Sequence, residues 1–85
     1  MNSYNILIVE DEVDIARAIE AYLNNQGYKT FMAGNGIEGL EVLSKEEIHL
    51  AIVDVMMPKM DGWEVCREVR KNSKVPIIML TARGD

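Results

Sequence analysis

Carboxylate and hydroxyl side chains follow three short apolar runs in this 85-residue sequence. Glu10 and Asp11 come directly after the first run, Asp54 closes a later one, and Thr81 follows the last. Continuous apolar runs of this length are typical of strands buried on both faces of a parallel sheet. Because ligands bind beyond the carboxyl ends of such strands, these four residues are candidates for one functional site.

The chemistry of such a site depends on how its negative charges are compensated. If the three strands are neighbours, Glu10, Asp11 and Asp54 lie one or two strand spacings apart, roughly 5 to 10 Å. Carboxylates at that separation raise one another's proton affinity unless a cation keeps them ionised. Oxygen ligands favour a hard ion, Mg2+ first. The ion would neutralise a phosphoryl group while Asp54 attacks phosphorus, which gives an aspartyl phosphate.

The elements that position these residues alternate regularly along the chain. Apolar runs predict four strands, and apolar repeats at helical spacing predict three helices between them. The predicted strands are 6–9, 28–33, 50–54 and 75–80, and the predicted helices are 13–26, 37–43 and 62–72. This βαβαβαβ order, with helical crossovers, predicts an α/β fold around a parallel sheet.

Local signals set the ends of the helices. Gly27 suits the left-handed position that follows the last turn of the first helix, and Asp61 is predicted to cap the third. The first helix is expected to bury a single stripe, whose members are Ile15, Ala16, Ile19, Tyr22 and Leu23.

Composition limits the classes of protein to which the chain can belong. At 85 residues, with 48% hydrophobic residues, it predicts one compact domain spanning 1–85. A net charge of -5 disfavours direct binding to nucleic acid or anionic membranes. No apolar run approaches a membrane span, which favours a cytoplasmic protein. Cys66 is expected to be a small helix hydrophobe, and His49 a solvated residue at a strand start.

Three motifs together resemble a known family. They are Val9-Glu10-Asp11-Glu12, the stretch from Asp54 to Gly62 (DVMMPKMDG), and Ile78-Met79-Leu80-Thr81-Ala82-Arg83. In order and spacing they are similar to the receiver domain of bacterial two-component response regulators, most closely to those of winged-helix transcription factors. The resemblance implies a flavodoxin-like fold in a signalling domain that is not an enzyme acting on other substrates.

The resemblance also implies a role for each site residue. Asp54 falls at the phosphoacceptor, which receives a phosphoryl group from a phosphohistidine on a sensor histidine kinase. Asp11 falls where the family binds magnesium directly, and Glu10 where an acidic partner holds the ion largely through water. Met56 matches the position whose backbone carbonyl completes the coordination. Thr81 matches the switch hydroxyl that turns toward the phosphoryl group.

The chain departs from the family's pattern at its end. Receiver domains continue through a further helix, a fifth strand that ends in a lysine, and a final helix, none of which is present in this sequence. The fourth strand, 77–80, is therefore expected to be an exposed apolar edge through which copies of the chain self-associate. A DNA-binding effector domain is also absent, so no direct contact with nucleic acid is expected.

Three other functions remain open from the residues. A phosphatase that forms an aspartyl phosphate needs a second acid two residues beyond the nucleophile, where this chain has Met56. A flavin-binding domain needs a glycine- or hydroxyl-rich loop after the first strand, where this chain has 10–12, three acids. The last alternative is a non-switching, self-associating receiver fragment or engineered half-domain scaffold that keeps its acidic site.

Overall fold

A four-stranded parallel sheet lies at the centre of the computed structural model, which describes residues 4–57 and 60–80. The elements in chain order are β1 (Asn5–Val9), α1 (Val13–Asn25), β2 (Lys29–Ala33), α2 (Gly36–Lys45), β3 (Leu50–Asp54), α3 (Gly62–Arg70) and β4 (Ile77–Leu80). The strand order is β2-β1-β3-β4. The predicted α/β fold is confirmed, and β1, β3 and β4 are neighbours as the site requires.

The register of the strands brings their carboxyl ends to one edge. Val9 is the partner of Ala33 on one side and of Val53 on the other, and Asp54 is the partner of Leu80. The residue after β1 and the last residue of β3 therefore lie next to each other.

The start of β4 is later than predicted. The strand begins at Ile77, although the apolar run begins at Val75. Pro76 has no N–H to donate, but its carbonyl accepts a hydrogen bond from the backbone N–H of Ala51 at 2.9 Å. The run thus contributes to the sheet before it becomes a regular strand.

The main core lies between one sheet face and helices α2 and α3. Its buried members are Leu7, Val9, Ala33, Ala51, Val53, Met57, Val65, Val69 and Val75. On the other face, α1 packs against β1 and β2, where Ile6 and Ile8 are buried. Side chains of β1 therefore alternate between two covered faces, which explains why its sequence is a continuous apolar run.

The stripe predicted for α1 is wrong in part. Ala16 is buried, whereas Ile15 and Tyr22 are 41% and 64% exposed. The reason is the position of the helix, which packs mainly on the edge strand β2 and its neighbour β1. Ile15 instead lines the cleft at the carboxyl edge, beside Leu80.

The amino end of α3 is fixed closely against β3. Asp61 accepts a hydrogen bond from the backbone N–H of Glu64 at 2.9 Å, and the Glu64 side chain accepts one from the N–H of Asp61, which forms a capping box. The Gly62 N–H donates to the Val55 carbonyl at 3.1 Å. A Cβ on Gly62 would lie 2.5 Å from the Asp54 carbonyl oxygen, so only glycine fits here.

The structure also places the single histidine, His49, and the single cysteine, Cys66. The prediction for His49 is confirmed in part: it directly precedes β3 and its side chain is 33% exposed, but its Nδ1 also accepts the backbone N–H of Asn5 at 2.9 Å. Cys66 lies on α3 and is partly buried. Within residues 4–57 and 60–80, every helix is too short or too polar to cross a membrane.

Candidate functional site

The acidic residues predicted from the sequence lie together at the carboxyl edge of the sheet. The carboxylates of Glu10, Asp11 and Asp54 each offer an oxygen, and these oxygens lie within 4.8 Å of one another. Glu10 and Asp54 are buried, at 5% and 7% exposure, whereas Asp11 is exposed. Two of the three acidic groups have therefore lost most of their contact with water.

Backbone hydrogen bonds orient the two buried carboxylates. The N–H of Glu12 donates to Glu10 Oε2 at 3.1 Å, and the N–H of Met56 donates to Asp54 Oδ1 at 3.1 Å. The N–H of Glu10 itself donates to the carbonyl of Ala33 at 3.0 Å, which extends the pairing of β1 with β2 by one residue. Each carboxylate is thus held by the turn that follows its own strand.

Burial has a large effect on Glu10. The pKa of its carboxyl is raised from 4.5 to about 7, chiefly because burial desolvates the charged form, with smaller upward contributions from the nearby carboxyls of Asp54 and Asp11. The hydrogen bond from the Glu12 N–H opposes this by favouring the charged form. Without a cation, Glu10 therefore keeps a proton over much of the neutral range.

The donor set fits a hard divalent cation. Three carboxylates that converge within 4.8 Å offer oxygen ligands alone, which is the chemistry that Mg2+ prefers. A bound cation would also remove the conflict that raises the pKa of Glu10, because it stabilises the ionised form of each carboxyl. The residues present are compatible with magnesium.

An open cleft of about 370 Å3 lies over the acidic residues. Its floor contains Glu10, Asp11 and Asp54, and the apolar side chains of Ile15 and Leu80 contribute to its lining. The sequence analysis did not identify either apolar residue as part of the site. The available signal was their position, since Leu80 ends a strand and Ile15 lies in the first turn of the helix after β1.

The remaining predicted site residues are Met56 and Thr81. The side chain of Met56 is 57% exposed at the cleft, and its backbone carbonyl stays a predicted metal ligand. Thr81, the predicted switch hydroxyl, lies outside the described residues. The last residue before it, Leu80, accepts a hydrogen bond from the N–H of Val55 through its carbonyl at 2.9 Å.

A parallel α/β sheet with clustered carboxylates at its carboxyl edge defines the class of flavodoxin-like signalling domains that resemble chemotaxis response regulators. Residues 6–85 match the family model described as the response regulator receiver domain. The chain therefore belongs to the receiver domains of two-component response regulators, as its three motifs predicted.

Curated relatives are regulators of transcription. The chain is 48% identical to the probable transcriptional regulator ycf27 of Cyanophora paradoxa over 100% of its own length and 36% of that protein. It is 42% identical to the transcriptional regulatory protein AfsQ1 of Streptomyces coelicolor over 95% of its length and 36% of that protein. The chain thus spans about a third of the length of these relatives.

Solved structures agree with the fold. The response regulator TrrA of Thermotoga maritima, determined in complex with Mg(2+)-BeF, is 38% identical with a TM-score of 0.89, over 95% of this chain and 71% of that one. The chemotaxis protein CheY4 of Vibrio cholerae is 32% identical with a TM-score of 0.93, over 99% and 72%. The flavodoxin-like fold is confirmed, with four strands where the predicted order has four.

Proposed function

We propose that Asp54 accepts a phosphoryl group from a phosphohistidine of a sensor histidine kinase in a magnesium-dependent reaction. The observation that supports this most strongly is the convergence of Glu10, Asp11 and Asp54 within 4.8 Å at the edge where β1 and β3 end. A nucleophilic carboxylate beside two further acids is useful only if a cation offsets their charge.

Each residue of the predicted site has a proposed part in this reaction. An oxygen of Asp54 attacks phosphorus, the phosphorus–nitrogen bond of the phosphohistidine breaks, and the imidazole leaves with the electron pair. Magnesium, when bound, supplies charge neutralisation for the transferred oxygens. Glu10, Asp11 and the Met56 carbonyl are the proposed ligands, with Glu10 acting largely through water. Thr81 is the proposed switch hydroxyl that reads the new phosphoryl group.

The amide of Met56 has a positioning effect. Its N–H holds Asp54 Oδ1 at 3.1 Å, which fixes the plane of the carboxylate relative to the cleft. The side chains of Ile15 and Leu80 line the open cleft beside the carboxylates and leave it accessible to a docked phosphoryl donor.

The wider role is proposed from the relatives. Since ycf27 proteins and AfsQ1 are named as transcriptional regulators and are about three times longer, we infer that the receiver controls DNA-binding regulation in a longer parent. We place it in the cytoplasm, as one domain over 1–85 that neither binds nucleic acid nor touches a membrane itself.

The alternative is a receiver that no longer switches and instead self-associates. The observation in its favour is β4, which pairs with β3 on one side and carries Ile78 at 49% exposure. Apolar residues on an edge strand recruit other strands. We propose that association between copies of the chain uses this strand, whether or not Asp54 is phosphorylated.

Beryllium fluoride with Mg2+ tests the proposed acceptor site, because it mimics a phosphoryl group on a carboxylate oxygen. A bound fluorine NMR signal is expected for the parent and for Asp61→Asn, whose amide oxygen still caps α3. The signal is expected to be lost in Asp54→Ala. A bound signal of equal strength in Asp54→Ala would contradict the proposal, as would the absence of a signal in the folded parent.

A further inference from the structure

His49 joins the amino ends of the two central strands, at the edge of the sheet opposite the acidic site. Its backbone N–H donates to the carbonyl of Asn5 at 2.9 Å, and its Nδ1 accepts the backbone N–H of the same residue at 2.9 Å. Asn5 is further held by its side-chain amide, which donates to the carbonyl of Glu47 at 2.6 Å. One histidine thus satisfies both backbone polar groups of the first residue of β1.

The hydrogen bond fixes the protonation state of the ring. Nδ1 can accept the N–H of Asn5 only when it has no proton, so the neutral ring carries its proton on Nε2. That nitrogen lies 3.7 Å from Glu47 Oε2. If Nδ1 also carried a proton, its N–H and the N–H of Asn5 would both be donors at a nitrogen–nitrogen distance of 2.9 Å, with no acceptor between them.

We propose that protonation of His49 opens this contact, so that His49 is an acid-sensitive clasp between β1 and β3. The imidazolium cannot accept the N–H of Asn5, and the ring must rotate or the strand end must separate. This inference does not depend on the proposed phosphotransfer.

The groups that face the ring decide how strong the response is. Tyr4 contacts it edge-on with a centroid separation of 5.4 Å, and Tyr28 on the β2 side lines the same open cleft as the ring. Glu47 is the one described carboxylate paired with it, and it favours the imidazolium. Its side chain is 84% exposed and its Oε2 lies 3.7 Å from Nε2, so solvent screens the attraction. Lys29 lies over Phe31 instead.

Opening is expected to be local. Four register pairs, from Ile6 with Leu50 to Val9 with Val53, continue β1 and β3 beyond the clasp. Strand ends with few remaining hydrogen bonds open at low cost, whereas central pairs open only with the whole domain. The amide of Asn5 should therefore report the clasp, and the amide of Val9 should serve as the internal reference.

NMR titration tests the protonation step directly, because His49 is the single histidine of the chain. The ring nitrogens are expected to show the Nε2–H tautomer while the ring is neutral, and the titration is carried to acid until they report the imidazolium. Over that titration the exchange protection of the Asn5 amide, corrected for intrinsic rate, should fall about fivefold while that of Val9 stays constant. An Nδ1–H tautomer at high pH, or unchanged protection of Asn5 once the ring is protonated, would overturn the proposal.

His49→Asn is the matched variant, since its amide oxygen occupies a position similar to Nδ1 and accepts a hydrogen bond at every pH. Its Asn5 protection should not respond to acidification, and its unfolding midpoint should lack the loss that protonation of His49 adds to the pH response of the parent. His49→Phe, which lacks the acceptor, should show low Asn5 protection throughout. The titration of Glu10 is common to all three proteins and cancels in the comparison. Equal pH dependence in the parent and His49→Asn would refute the clasp.

Discussion

At the scale of single residues, the acidic site combines two arrangements that oppose each other. The backbone N–H of Glu12 favours the charged form of the Glu10 carboxyl, while burial and the nearby carboxyls of Asp54 and Asp11 favour its protonated form. For Glu10 the second effect dominates, and its pKa rises to about 7. Because the protonated and ionised forms of Glu10 are close in free energy near neutral pH, a cation bound at the site would favour the ionised form.

The raised pKa of Glu10 predicts pH-dependent metal binding. If Mg2+ must displace the proton, affinity should be about tenfold weaker at pH 6 than at pH 8. Isothermal titration of the parent and Glu10→Gln measures this, and the variant should bind more weakly with little dependence on pH. Equal pH dependence in both proteins would assign the titration to another group.

The same pKa has a consequence for stability in the absence of metal. Folded Glu10 binds its proton more tightly than unfolded Glu10, whose pKa is 4.5. Its contribution to the unfolding free energy is therefore complete below about pH 4.5 and is lost as the pH rises through about 7. Chelator-treated Glu10→Gln should lack this decline, which denaturant unfolding across the range can measure.

Removing the central negative charge should stabilise the metal-free domain. Asp54→Asn keeps an oxygen to accept the N–H of Met56 but removes the repulsion toward Glu10. We expect the unfolding free energy in chelator to rise by about 0.5 to 2 kcal/mol, as is common when a functional charge cluster is neutralised. Asp61→Asn, which retains the helix cap, is the control and should change little. A destabilised Asp54→Asn would show that the carboxylate is structurally required.

At the scale of elements, the position of Asp54 depends on the close approach of α3 to the end of β3. Gly62 permits this approach, since a Cβ there would lie 2.5 Å from the Asp54 carbonyl oxygen and 2.8 Å from the Val55 Cα. Both neighbours are backbone atoms, which cannot move aside as a flexible side chain can. The start of α3 therefore lies directly against the backbone of Asp54 and Val55.

Gly62→Ala tests this dependence. We expect a loss of about 1 to 3 kcal/mol in unfolding free energy, typical of overpacking, together with weaker Mg2+ binding. Gly34→Ala is the matched control, because its Cβ would meet only Glu38 Oε1 at 3.4 Å, an ordinary contact. Denaturant unfolding and metal titration of both variants provide the comparison, and equal effects would argue against a specific role for the approach at Gly62.

Most of the element order and the acidic cluster could be predicted from the sequence, because both depend on local patterns. An apolar run predicts a buried strand. Asp54 at the end of such a strand indicates a site, because ligands bind beyond the carboxyl ends of parallel strands. Features that depend on packing could not be predicted. The exposure of Ile15 follows from where α1 lies on the sheet, and the hydrogen bond at His49 joins residues 44 positions apart. Neither has a signal in local spacing.

At the scale of the whole molecule, the two faces of the sheet are covered unequally. Helices α2 and α3 cover the main core, while α1 lies over β1 and β2. In register, Ile8 is the partner of Ile52, and Ile52 is the partner of Ile78, so these side chains share one face. Their exposure increases across that face, from buried Ile8 to Ile78 at 49%. Within the described residues, the apolar side chains of this face are therefore most exposed on the β4 side.

Sedimentation velocity over a range of concentrations tests the proposed association through β4. The parent should form dimers or larger species as concentration rises, and Ile78→Lys should remain monomeric because a charge on an edge strand opposes pairing. Ile37→Lys is the control, since Ile37 is 53% exposed on α2, away from β4, and its change should leave association intact. A parent that stays monomeric at high concentration would contradict the proposal.

The most direct test of the acceptor site is the intact mass of the protein after incubation with Mg2+ and acetyl phosphate. The parent is expected to gain the mass of one phosphoryl group, whereas Asp54→Asn and a parent sample with excess chelator should gain none. That result would show that this acidic cluster performs magnesium-dependent phosphoryl transfer at Asp54. A parent that binds Mg2+ but never gains the group, or an Asp54→Asn variant that gains it equally, would contradict the proposed function.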